Sequence, residues 1–262
     1  MIQINEGGGG QKMLALQDVP AGKIRKIDGR RARDSVSTPD ACGPESCGLR
    51  RCALESCPLL EQIGKLRTFA KSSVIFWDGD TLDNVFLVVS GVVRGTKILS
   101  DGRRQITRFA FPGEIIEYSR NGQMPYSAEA ITDVRVVTIS RHHLDFAMNA
   151  TPCLRRLMMG AILEELQDAR AQVLALGRLS ATERVARFLL TLQRHLGQDD
   201  EGATNLPMSR QDIADYLGLT IETVSRVVGR LKRDGKIRLL SANRVAIHDL
   251  DDFLDEALTS VV

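Results

Sequence analysis

Between residues 71 and 140 the apolar positions come in short runs separated by glycine turns. Asp78-Gly79, Ser90-Gly91, Asp101-Gly102 and Pro112-Gly113 lie eleven or twelve residues apart. Between them stand Asn84–Ser90, Val92–Leu99 and Arg104–Phe111, dense in β-branched and apolar side chains. Short strands closed by glycine turns at this interval predict an antiparallel sandwich or barrel. Ala128–Ser140 supplies at least one further strand.

Over 153–177 the period changes. Met159, Ile162, Leu166, Ala169, Val173 and Leu176 step by 3, 4, 3, 4 and 3, with Glu164, Glu165, Gln167, Asp168 and Arg170 among the residues between. A narrow apolar stripe along one long helix suits a parallel helix–helix dimer. The same stripe would also suit a helix lying on its own β domain. Beyond Gly177, Ser180-Ala-Thr-Glu183 and Ser209-Arg-Gln-Asp212 each read as a capping box opening a helix. The chain then offers a hairpin, Lys236–Leu240 with Arg244–His248, and an acidic helix carrying Asp249, Asp251, Asp252, Asp255 and Glu256.

Residues 209–232 contain two short helical patterns around a glycine. Ile213, Ala214 and Leu217 make one apolar face, Gly218 the sharp turn, and Thr220 a cap for a second helix with Val224, Val227, Val228 and Leu231 inward. This is a helix-turn-helix pattern. Glu222, Ser225 and Arg226 share the outward face of the second helix. Arginine can bond both acceptors of a guanine edge, a carboxylate accepts from the cytosine amino group, and serine reaches a base or a phosphate. Ser209, Arg210 and Arg230 are candidate DNA contacts beside them, with Lys232, Arg233, Lys236, Arg238 and Arg244 as further cations for phosphates. The bland alternative is a structural three-helix unit with a solvated charged face.

Charge sharpens this picture only locally. The 262 residues hold 35 Lys+Arg against 33 Asp+Glu, so the whole chain is nearly neutral. Residues 209–244 hold eight basic against four acidic residues, so a basic module is concentrated there. With 43% hydrophobic and 26% charged residues the composition is that of a globular protein, long enough for about two domains. No apolar stretch approaches the roughly 18–20 residues of a membrane helix. Met1–Lys12 is polar and glycine-rich, unlike a secretory signal. The expected location is the cytoplasm. Neither G-x-S-x-G nor a phosphate-binding glycine loop occurs, and no histidine stands at motif spacing from a nucleophile. The chain therefore reads as a non-enzyme.

Four of the five cysteines, Cys42, Cys47, Cys52 and Cys57, form a C-x4-C-x4-C-x4-C run with Gly43-Pro44 and Gly48 able to bend the chain. Four thiolates suit an iron–sulfur cluster or zinc, and redox-reactive thiols are the remaining choice. Residues five apart diverge on a helix, so ligation would need an irregular loop. Cys153 follows Pro152 at the start of the long helix. There the helix dipole could lower its pKa, although a packed small apolar side chain is the simpler role.

The order β domain, long seam helix and helix-turn-helix resembles the Crp/Fnr family of bacterial transcription regulators. Pro207–Arg226 (PMSRQDIADYLGLTIETVSR) is similar to the Fnr and FixK branches. The resemblance covers roughly 60–262 and implies an α+β fold. Its parts are a cyclic-nucleotide-binding-like β jelly roll, a long dimerisation helix and a C-terminal winged helix-turn-helix. Residues 1–40, glycine-rich, basic and without helical or strand period, read as a flexible tail and 41–60 as a cysteine-rich segment. The resemblance implies a sensor β domain over 61–150, the dimerisation helix over 151–177 and the DNA-binding domain over 178–262. In those branches a Glu-x-x-Ser-Arg motif reads TTGA-type half-sites of an inverted repeat. Here that motif is Glu222, Ser225 and Arg226.

Resemblance further implies a homodimer on double-stranded DNA that works with RNA polymerase as an activator, with no membrane partner. The Arg-Ser-Ala phosphate clamp of cyclic-nucleotide binders is replaced by Tyr126-Ser127-Ala128, so no cyclic nucleotide is expected. FixK-type regulators often lack a cluster, whereas in Fnr proteins an oxygen-labile [4Fe–4S] cluster takes three N-terminal cysteines and one in the β domain. Val137 stands at the latter position, so all four ligands would come from Cys42, Cys47, Cys52 and Cys57. Oxygen or redox response follows if they bind it. The alternatives are a cyclic-nucleotide-responsive regulator, or a cofactor-free one controlled by its own level or by thiol oxidation.

Overall fold

The computed structural model describes residues 63–118, 122–248 and 253. The N-terminal tail, the cysteine-rich run and, apart from Phe253, the C-terminal acidic segment lie outside the described residues.

Among the described residues seven strands come first: β1 (Gly64–Phe69), β2 (Val74–Phe76), β3 (Asn84–Ser90), β4 (Val93–Ile98), β5 (Arg104–Ala110), β6 (Ser127–Ala130) and β7 (Val134–Ser140). They form two antiparallel sheets, ordered β1-β7-β3 and β2-β6-β4-β5. Ala128–Ser140 is thus two strands turning at Ile131–Asp133. Gly91 shows why that region needs glycine. It sits at φ +85°, and a Cβ there would lie 2.3 Å from the carbonyl oxygen of Asp133.

Alternation along β3 and β7 explains why both read as nearly unbroken apolar runs. Phe86, Val88, Val134 and Val136 enter one core with Phe76, Val93 and Ala128 of the other sheet and with Tyr126 just before β6. Their neighbours Val85, Leu87, Val137 and Ile139 face a second core against the helices α1 (Arg141–Ala150) and α2 (Pro152–Arg178). A strand covered on both faces loses its polar alternation. α1 is capped by Ser140, whose hydroxyl accepts from the amide of His143 at 3.3 Å.

The remaining chain forms α3 (Ala181–Leu196), β8 (Ala203–Asn205), α4 (Arg210–Leu217), α5 (Ile221–Arg233), β9 (Ile237–Ser241) and β10 (Arg244–Ile247). Both expected capping boxes are present, Ser180 with Glu183 and Ser209 with Asp212. The hairpin β9–β10 gains a third strand, β8, on the β10 edge. Its three residues carry too little pattern to be read from sequence.

A third core is shared between the β domain and the helices that follow it. Val92, Ile106, Phe109, Phe111 and Ile131 from the β-sheet side join Phe188, Leu189, Leu192, Ile213, Val224 and Leu231 in one cluster, closed by Phe253. Phe109, Phe188 and Tyr216 meet with ring centroids 5.1–5.8 Å apart. The helix-turn-helix is therefore docked on the β4–β5 sheet.

Candidate nucleic-acid interface

α4 and α5 are set by local chemistry. Gly218, at φ +63°, ends α4 in the left-handed region, and its neighbour Leu219 bonds back to Ala214 at 3.0 Å. Thr220 then caps α5, accepting from the amide of Thr223 at 3.2 Å. Val224, Val227, Val228 and Leu231 are buried, which turns the opposite side of α5 outward. Glu222, Ser225 and Arg226 are all exposed on that side.

Within this face, Arg226 makes one long side-chain bond, Nη2 to Thr223 Oγ1 at 3.3 Å, and can readily exchange it. The Glu222 carboxyl is held below its ordinary range by its own backbone amide and the Thr220 hydroxyl. It is therefore an ionised, acceptor-only group at neutral pH. Arg230 is exposed and pairs with Asp234 at 3.4 Å, a surface contact worth little. Lys232, Arg233 and Arg238 are exposed too. Arg244 differs: Asp199 and Glu201 both hold it, so it is poorly placed to serve a phosphate.

At the start of α4 the sequence-selected residues are less free than those of α5. The Ser209 hydroxyl donates to Asp212 Oδ2 at 2.8 Å and accepts from the Asp212 amide at 3.0 Å. Its own amide donates to Asp212 Oδ2 at 3.1 Å. In this arrangement its protons are spent on capping, and a phosphate would have to compete for them. Arg210 is half-buried, and burial lowers its pKa.

Asp212 does more than cap. It is 3% exposed and accepts from Arg94 Nη1 and Arg104 Nη2, each at 2.8 Å. Asp215 accepts from Arg104 Nε at 2.7 Å, and Gln105 Nε2 donates to the Asp215 carbonyl at 2.6 Å. Strands β4 and β5 thus grip the first helix of the helix-turn-helix. Sequence reasoning found the capping role of Asp212 and missed its two arginine partners, more than a hundred residues away. No local pattern announces such pairs.

The long helix α2 buries some of its apolar residues and exposes the others. Leu154, Leu157, Met158 and Ala161 pack on the β domain. Met159, Ile162, Leu166, Val173 and Leu176 of the expected seam are exposed, as are Ala169 and the unanticipated Leu163 and Leu174. Cys153 occupies the first turn of α2, after Pro152.

Comparisons with known proteins agree with this geometry. The Crp-like helix-turn-helix domain family matches residues 183–255, and the cyclic nucleotide-binding domain family matches 66–151. The nitrogen fixation regulation protein FixK of Azorhizobium caulinodans is 43% identical over 190 residues, covering 71% of this chain and 77% of that protein.

The chain belongs to the Crp/Fnr family.

Within it the Fnr/FixK branch is the one matched. The transcriptional activator protein FnrL of Cereibacter sphaeroides is 35% identical over 204 residues, covering 76% of this chain and 82% of the relative. The solved structure of FixK2 from Bradyrhizobium japonicum superposes with a TM-score of 0.68 at 34% identity, covering 74% of this chain and 96% of that one. Like its Crp/Fnr relatives, the chain is a DNA-binding transcription regulator and not an enzyme. Its β domain is of the cyclic-nucleotide-binding type. No helix among the described residues is long and apolar enough to cross a membrane.

Proposed function

We propose that the chain is a cytoplasmic homodimeric activator that binds TTGA-type inverted repeats, engages RNA polymerase, and responds to oxygen or redox state. The observation that carries the DNA-reading part is the exposed trio Glu222, Ser225 and Arg226 on a helix whose opposite side is fully buried. Such a helix can enter a major groove with its reading residues foremost. A dimer through α2 is supported by the exposed apolar seam, and activation by the name of the transcriptional activator protein FnrL.

A cyclic nucleotide is not its ligand in this reading. Tyr126 is buried, its hydroxyl donates to the carbonyl of Ile116, and its ring lies 2.9 Å from where a Cβ on Gly95 would stand. A phenol pushed to high pKa by burial offers no positive charge to a phosphate. Arg108 is committed to the carbonyl of Ile116 at 3.1 Å and to Glu165 of α2.

The redox part rests on the donor set. Val137, 7% exposed among Leu144, Leu154 and Met158, supplies no ligand from the β domain. The thiolates of Cys42, Cys47, Cys52 and Cys57 match in number and kind the four that a [4Fe–4S] cluster takes. Bound there, the cluster would supply oxygen-sensitive redox chemistry. Anaerobic reconstitution is expected to give a brown protein whose iron is lost when any of the four becomes serine. Colourless protein with all its thiols free would dispose of the cluster.

DNase footprinting tests the DNA-reading part. The dimer is expected to protect a TTGA-containing palindrome, and Glu222→Ala to relax selection at one base pair of each half-site by about 1–3 kcal/mol while sparing nonspecific binding. Unchanged base preference in that variant would end the assignment of the trio.

A further inference from the structure

Among the described residues, one group of metal-ligating side chains is drawn from three separate elements. Glu114 follows β5, Asp168 lies on α2, and His195 lies in the last turn of α3. One ligand atom from each lies within 4.8 Å of the other two. We infer that these three residues form a binding site for a single divalent first-row transition cation, of the manganese, iron or zinc kind.

Two of the ligands are held in place before any ion arrives. The His195 side chain is 3% exposed, and its ring stacks on Phe111 at 4.4 Å and 23°, which fixes the imidazole plane. Glu114 receives the amide of Phe111 on Oε2 at 3.3 Å and presents Oε1 to His195 Nδ1 at 3.2 Å. Asp168 is 48% exposed, so it leaves an open side for entry and for water to complete the coordination. One imidazole with two carboxylates is a borderline donor set, suited to transition cations more than to calcium or magnesium.

A cation already stands at the open side. Arg194 Nη2 lies 3.4 Å from both Asp168 Oδ1 and His195 Nε2. Charge-assisted bonds between nitrogen and carboxylate are typically about 2.7–2.9 Å, so this guanidinium is attracted without fitting. Arg194 is 57% exposed and can turn into solvent. A bare metal ion can approach such ligands to about 2.0–2.2 Å, which a guanidinium cannot. On the inner side Arg108 stands 3.6 Å from Glu114 and also holds Glu165. Among the ion pairs at the site, Glu114, Asp168 and Glu165 stand against Arg108 and Arg194. Exchange of Arg194 for a divalent ion, with loss of a proton where the ligating nitrogen carries one, is the expected binding step.

Such an ion would tie the β domain, the seam helix and the helix-turn-helix half of the chain at one point. The inference does not depend on which DNA sequence the protein reads. Its test is cobalt(II) and manganese(II) titration of the metal-free, full-length chain by visible spectroscopy and calorimetry. The N-terminal thiols are told apart by the intense sulfur-to-cobalt absorption that a site without sulfur lacks. One equivalent should bind without that absorption. Asp168→Asn should weaken it at least tenfold while leaving any thiolate band unchanged, and Arg194→Ala should tighten it. His195→Gln should abolish it. Because His195 is buried and its variant can fail to fold, the exposed Asp168 carries the decision. Absence of a saturable sulfur-free equivalent, or equal affinity in Asp168→Asn and the parent, would overturn the site.

Discussion

Two side chains on α5 show how one helix turn sets both chemistry and direction. The Glu222 carboxyl is kept ionised by the amide and hydroxyl at the helix start, so it can only accept. Arg226, one turn on, can only donate. In the proposed reading the pair would present opposite hydrogen-bonding demands to adjacent base edges, which a simple basic patch would not do. Arg226→Lys separates charge from shape, because lysine keeps the positive charge and loses the planar two-bond fork. The expected outcome is a loss of specific affinity of about 1–3 kcal/mol with the salt dependence of binding unchanged. Binding isotherms over a range of salt concentration on operator and random duplexes check it. Equal losses on both duplexes would assign Arg226 to the phosphate backbone.

Elements whose chemistry is local were legible in the sequence, and those assembled at long range were not. The helix-turn-helix announced itself because Ser209, Gly218 and Thr220 act on backbone groups within a few residues of themselves. Strands β3, β4 and β5 were visible between glycine turns, whereas β1, covered on few positions, showed no distinguishing pattern. α2 posed a choice between lying on the β domain and pairing with a second copy. The structure buries Leu154 and Met158 on the β domain and leaves Val173 71% exposed, which keeps the later part of the helix open to the proposed second copy. Val173→Glu therefore leaves the core of one chain untouched. In a symmetric parallel pair it would set two carboxylates face to face across an apolar seam. Sedimentation should shift from dimer to monomer with the single-chain fold retained, and operator affinity should fall steeply because each half-site then binds alone. A dimer that persisted unchanged would place the interface elsewhere.

At the scale of the molecule, the β domain and the DNA-reading module are joined by more than a hinge. Val92, Ile106, Phe109, Phe111 and Ile131 of the β domain share one apolar cluster with the DNA-binding half, and Arg94 and Arg104 close over Asp212 and Asp215. None of this could be read along the chain, since charge pairs between a strand and a distant helix have no periodicity. The Asp212 side chain is 4% exposed, so its partners compensate a charge that water can scarcely reach. Breaking such a pair costs about 3–5 kcal/mol, far more than an exposed pair would. Arg104→Glu replaces attraction by repulsion against two carboxylates and leaves the capping box of α4 without one counter-charge. If the clamp couples the two halves, the parent unfolds in one calorimetric transition. The variant should then melt lower and in two, with the DNA-reading half separating first because its first helix loses its hold on β5. A single transition at the parent's midpoint would mean that the shared apolar cluster, centred on Phe109, Phe188 and Tyr216, couples the halves unaided.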